Sequence, residues 1–229
     1  MTMSERRARS SSSSSAWVLN PSDFAFLYQE CKRCFWEKVV AHQRRPMAPF
    51  PKIFIKIDRS MKSRFLGEPT LTIDAALPAG IIAGSRRVSS APLWLPQASR
   101  PILIRGEIDT LVELHDGRLG ILDFKTSEPR DDHLTLYGRQ LHAYLHCCEH
   151  PAAGVPTEVT MLGLVVFDPV AFASDGPYAY LAGGLEFVRV NIDREAFSQF
   201  LSEVATVLMQ PVPPPPGDNC PFCAYREAA

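Results

Sequence analysis

The sequence predicts an α/β (α+β) fold, a central mixed β-sheet flanked by helices, and three observations carry that expectation. Helix-periodic segments lie near both ends and in the middle of the chain, a charged hairpin spans Ile104 to Lys125, and two more strand-like runs follow it. A chain of 229 residues, 46% of them hydrophobic, buries one sizeable core, so residues 17–229 are expected to form a single domain. No internal repeat is evident.

Taken in order, residues 1–16 carry an Arg cluster and the Ser10 to Ser15 run; they cannot bury apolar surface and are expected to be a disordered tail. Asn20-Pro21-Ser22 reads as a cap and first turn for a helix to about His42, with Phe24, Leu27, Cys31 and Phe35 inward. A second helix, near Ile53 to Phe65, follows Pro51. Residues 67–100, rich in Gly, Pro and Ala, read as an irregular excursion. After the hairpin, Leu134, Tyr137, Leu141, Tyr144 and Leu145 recur at helical spacing. Strand-like runs Val159 to Phe167 and Tyr178 to Ile192 flank the turn Asp175-Gly176-Pro177, and Phe197 to Leu208 follow the period of a final amphipathic helix.

The hairpin is the most informative segment. On its first arm the even positions Ile104, Ile108, Val112 and Leu114 are apolar and the odd positions Glu107, Asp109 and Glu113 acidic, so the even face is expected to be the core face. On its second arm Leu122 and Phe124 are apolar, whereas Asp123 and Lys125 are charged. A two-residue loop at Asp116-Gly117 would turn Asp109 away from Asp123. A three-residue loop, His115-Asp116-Gly117 with the glycine left-handed, pairs 114 with 118 instead. That register sets Asp109 opposite Asp123 and Glu107 opposite Lys125.

Two carboxylates on neighbouring strands suit a hard divalent cation such as Mg²⁺ or Mn²⁺, and a lysine beside them suits an attacking water or a phosphate. Asp109, Asp123 and Lys125 are therefore the candidate catalytic set, with Glu107 a third ligand or a partner for Lys125. The competing view is an ordinary surface hairpin of mixed charge. Asp-x-Lys alone would not decide against it.

The blocks Gly106-Glu107-Ile108-Asp109, Ile121-Leu122-Asp123-Phe124-Lys125-Thr126 and Gln140-Leu141-His142-Ala143-Tyr144 together resemble the RecB-like nucleases of the PD-(D/E)XK superfamily in order and spacing. The resemblance implies a restriction-endonuclease-like core. It places metal binding on Asp109 and Asp123, assistance to the attacking water on Lys125, and approach to DNA on Gln140 and Tyr144. It also implies hydrolysis that leaves a 5′-phosphate. The upstream helix of that family often supplies a further His or Glu ligand; Ile53 to Phe65 has neither, and Asp58 is its only acid.

Six cysteines are unevenly placed: Cys31 and Cys34 form one C-x-x-C, Cys220 and Cys223 another, and Cys147-Cys148 read as core packing. With no secretory segment or long apolar stretch, a reducing, cytoplasmic setting is expected, and metal binding is favoured over disulfides. Four thiolates suit either tetrahedral zinc or an iron–sulfur cluster, and the stiff run Pro211 to Pro216 would carry the last pair back to the first. Some RecB-like nucleases hold a [4Fe-4S] cluster with cysteines from both ends of the domain, one from the N-terminal side and three from the C-terminal side; here the split is two and two.

A net charge of −1 gives no global signal for nucleic acid, and no membrane partner is expected. Local patches must serve. Arg44-Arg45, Arg86-Arg87 and the five basic residues between Lys52 and Arg64 are the candidates. The sequence thus favours a metal-dependent deoxyribonuclease acting on single strands or ends, exonuclease included. The alternative is a catalytically impaired nucleic-acid-binding or scaffolding module on the same fold, and a weaker third is a zinc-held interaction module.

Overall fold

The computed structural model describes residues 16–46, 50–127 and 131–228; the tail expected at the N-terminus lies almost wholly outside them. The elements are β1 (Trp17–Leu19), a π-helical turn at Asp23–Leu27 running into α1 (Tyr28–Glu30), α2 (Lys32–Val39), α3 (Lys52–Phe65), β2 (Gly80–Ser89) and β3 (Ile102–Leu114). There follow β4 (Leu119–Thr126), α4 (Asp131–Glu149), β5 (Val159–Asp175), β6 (Tyr178–Val190), α5 (Arg194–Leu208) and α6 (Pro221–Ala228). The six strands form one mixed sheet in the order β1-β3-β4-β5-β6, with β2 also paired to β3. β1–β3 and β4–β5 are parallel; the other pairs are antiparallel.

The hairpin closes as its residues require. Leu114 donates to the Arg118 carbonyl at 3.0 Å, and Gly117 takes φ +83°, a left-handed value that a side chain at this position would resist. Thr110 pairs with Leu122, the register that points Asp109 at Asp123. There β3 and β4 part. β4 continues along β5 to Thr126, while β3 below Thr110 runs against β2.

Alternation along β3 is not constant, which corrects the expectation of a single even-numbered core face. Against β2, Arg86 faces Ile108 and Gly84 faces Leu111, so β3 carries one extra residue between those pairs. Before this bulge Ile102, Ile104 and Ile108 pack beneath α4 and α5. After it Val112 and Leu114 join Leu122 and Phe124 on the opposite face, where Met61 and Phe65 of α3 cover them. Both faces of the sheet are buried at its centre, around β3, β4 and the first half of β5, and Asp109 sits in the bulge.

Three expectations change. The helix from residue 20 to 42 is broken at Cys31, whose extended backbone (φ −162°, ψ 106°) ends α1 and caps α2. The excursion at 67–100 contains the ten-residue strand β2, hidden in the sequence by Gly80, Gly84 and two arginines. The strand expected to end at Phe167 runs on to Asp175, forming a long hairpin with β6. Cys147 and Cys148 are buried in the core as expected.

Candidate functional site

The point where β3 and β4 part gathers the charged groups. Alternation puts Asp123 and Lys125 on the face of Ile121, which packs beneath α4, whereas the bulge turns Asp109 toward both Asp123 and α3. Asp123 is only 2% exposed. Lys125 Nζ lies 2.6 Å from Asp123 Oδ2 and 4.2 Å from the centre of the Tyr137 ring on α4. From α3, Lys62 Nζ lies 3.1 Å from Asp109 Oδ2 and 2.9 Å from Asp58 Oδ2.

Two carboxylates so close cannot both ionise freely. Burial pushes Asp123 up to about 7; Lys125 pulls it down and Asp109 adds to the rise. Burial acts the same way on Asp109, but its contacts with Asp123 and Lys62 outweigh it and hold this carboxyl below its ordinary value. The two acids are thereby split, one charged and the other holding its proton more tightly. Neither oxygen of Asp123 accepts an aligned hydrogen bond although both are shut off from solvent. Buried oxygens left in that state, next to a second carboxylate, form a donor set that fits a hard divalent cation.

Glu107 does not complete the set. Its carboxylate stands 3.4 Å from Arg87 on β2 and is half exposed, so it pairs with β2 and not with Lys125. Among the described residues no third carboxylate or histidine converges on Asp109 and Asp123. Asp58, the sole acid of α3, reaches the pair only through Lys62. Gln140 and Tyr144 share a face of α4 and are both 7% exposed; burial and then Asp109 raise the Tyr144 hydroxyl's pKa, and Gln140 is its hydrogen-bond partner. Tyr144 packs in the core with Ile108, Leu141 and Leu145.

The sequence did not single out Lys62. It stood in a basic stretch of α3, and only the packing of Phe65 on Phe124, ring centres 5.8 Å apart, brings that turn of the helix over β4 and Asp109.

A second site lies at the chain ends. Cys31, Cys34, Cys220 and Cys223 are all buried, and their sulfurs lie within 4.8 Å of one another. Cys31 Sγ accepts from the backbone N–H of Cys34 at 3.5 Å and of Gly217 at 3.2 Å. Burial raises the Cys31 thiol, but these two N–H groups and neighbouring thiols bring it down to about 6. Gly217 is required by contact: a Cβ there would stand 2.4 Å from the Glu30 carbonyl oxygen. Arg45 is spent here and not on nucleic acid, since its guanidinium reaches Cys220 Sγ at 3.6 Å and Glu30 at 2.5 Å and covers the Phe222 ring. Trp36 holds the returning segment by donating to the Gln210 carbonyl, and Arg33–Glu227 and Arg226–Glu37 pairs tie α6 to α2.

A mixed sheet split beside paired carboxylates and a lysine is an arrangement that suits metal-assisted phosphodiester hydrolysis. The model of the PD-(D/E)XK nuclease superfamily matches residues 20–228, and the chain belongs to that superfamily. Membership points to hydrolysis of phosphodiester bonds with the divalent metal ions that the superfamily usually employs. No curated protein is detectably similar in sequence. A solved structure described as "Crystal structure of SSO0001" is similar over 93% of this chain and 85% of its own, at 12% identity and a TM-score of 0.42. No helix among the described residues is long and apolar enough to cross a membrane.

Proposed function

We propose that the protein is a Mg²⁺- or Mn²⁺-dependent deoxyribonuclease of RecB-like type that cleaves single strands or ends. The observation that carries this reading is the convergence of Asp109, Asp123 and Lys125 where β3 and β4 separate, with Asp123 buried and Lys125 Nζ 2.6 Å from its Oδ2. Asp109 and Asp123 would hold the cation, which supplies positive charge to the phosphate under attack.

The remaining work falls to side chains. Lys125, fixed between Asp123 and the Tyr137 ring, is placed to hold the attacking water or a non-bridging phosphate oxygen. Lys62 neutralises Asp109 and, if a cation took over that carboxylate, its ammonium would be free for the phosphate backbone. Gln140 and Tyr144, each 7% exposed on α4, would offer nucleic acid only a small surface. Exposed α3, with Lys52, Lys56 and Arg59 on its first turns, is the candidate track for the backbone leading in.

A second reading, a catalytically impaired nucleic-acid-binding or scaffolding module, is favoured by one observation: no third acidic ligand joins the pair among the described residues. Purified protein incubated with labelled single- and double-stranded DNA and RNA, in Mg²⁺ or Mn²⁺ against EDTA, separates the two. Cation-dependent cleavage of DNA that Asp123→Ala and Lys125→Ala both abolish supports the enzyme. Binding without cleavage, unchanged by either substitution, supports the module.

A further inference from the structure

The cysteine clasp has a size, and size discriminates between the groups that four thiolates hold. We propose that it takes a single tetrahedral zinc ion and not an iron–sulfur cluster. The inference rests on the clasp alone and is independent of the nuclease reading.

Four thiolates each about 2.3 Å from one central ion stand about 3.8 Å from each other. Here Cys34 Sγ lies 3.6 Å from Cys223 Sγ and 3.8 Å from Cys220 Sγ, and Cys31 Sγ lies 3.7 Å from Cys223 Sγ. The largest separation in the set stays within 4.8 Å. A four-iron cubane binds each thiolate on a different outer corner and so spaces the sulfurs roughly 6 Å apart, and a two-iron cluster sets its two cysteine pairs comparably far from each other. Neither can be enclosed by this set. The iron–sulfur cluster implied by the family resemblance therefore does not fit the residues that would hold it.

The surroundings oppose expansion. Moving Cys31 outward would pull its sulfur off the N–H groups of Cys34 and Gly217, and Gly217 is itself pressed against the Glu30 carbonyl. All four sulfurs are buried and the chain supplies all four ligands, which leaves no open position for chemistry. Four thiolates around a dication leave a net charge of −2. The Arg45 guanidinium and the two N–H···S contacts offset part of it. A redox-inert ion suits a clasp whose effect is to join α1 and α2 to α6.

The full-length chain, produced in iron-supplemented cells and purified without oxygen, is analysed for zinc, iron and acid-labile sulfide, with a visible spectrum. The expected result is one zinc per chain, no sulfide and no visible band. Cobalt(II) exchanged into the site should then give the intense charge-transfer and ligand-field bands of a tetrahedral tetrathiolate. Cys220→Ser should lose the zinc and the cobalt spectrum, whereas Cys147→Ser, at a buried thiol outside the clasp, should keep both. Should Cys220→Ser fail to fold, zinc released from the wild type by a mercurial and counted with a chromogenic chelator gives the same stoichiometry. Iron with matching sulfide, iron alone, or a folded wild type without metal would each overturn the proposal.

Discussion

The carboxylate pocket and the cysteine clasp both gather groups that bind cations, but they differ in how the protein itself handles their charge. In the pocket every acid has a basic neighbour: Lys125 at 2.6 Å from Asp123, and Lys62 bridging Asp109 and Asp58. In the clasp four sulfurs share one guanidinium and two backbone donors. Side chains alone thus balance the charge of the pocket, whereas four thiolates with so little compensation would make the fold depend on a bound ion, if the proposed zinc is there. Loss of function and loss of stability should separate cleanly between the two sites.

The largest expected effect is on cleavage. On the proposed function, Asp123→Ala or Lys125→Ala should lower kcat by at least about 100-fold, since each would remove a group facing developing charge, while thermal melting stays within a few degrees of wild type. A melting temperature that collapses with activity would erase the contrast. The next is on stability. Cys220→Ser, or stripping the clasp ion, should cost on the order of 3 kcal/mol and lower Tm by about 10 °C in calorimetry, with no such loss for Cys147→Ser beyond that of a small core change.

A finer test uses the lysine that the packing revealed. Lys62→Ala should reduce kcat/KM by about tenfold through the lost phosphate contact and at the same time lower the Mn²⁺ concentration needed for half-maximal activity, because the ammonium competing for Asp109 is gone. Both parameters moving in the same harmful direction would make Lys62 merely structural.

The smallest effect is the pH dependence. The folded-state pKa of Asp123 is raised, so its contribution to stability is fully present below the ordinary carboxylate range, near 4, and is lost as pH rises toward about 7. In EDTA, wild type should lose stability relative to Asp123→Asn across that window, by on the order of 1–3 kcal/mol. Cation affinity should rise over the same range as the proton leaves. Asp109, held low, works in the opposite sense: its contribution is present above the ordinary carboxylate value near 4 and is lost as the pH falls below it.

What the sequence made legible follows from periodicity and turn chemistry. Alternation plus Gly117 determined the hairpin register, which set Asp109 toward Asp123. The spacing of the two C-x-x-C pairs indicated a clasp whose sulfurs do meet. What escaped was non-periodic. The bulge at 109–110 has no signature, because it exists only against β2, a strand disguised by glycine and arginine. The break at Cys31 is invisible in an apolar pattern that continues through it. Lys62, Arg45 and Gly217 acquire their roles from segments far away in the chain, and single-segment patterns hold no record of such contacts.

Manganese(II) binding followed by electron paramagnetic resonance tests the central claim most directly. Wild type with its clasp loaded should immobilise Mn²⁺ at a site that Asp109→Ala and Asp123→Ala each abolish and Glu107→Ala leaves intact. Equal binding by wild type and Asp123→Ala, or loss in Glu107→Ala alone, would contradict a cation centre built on those two aspartates.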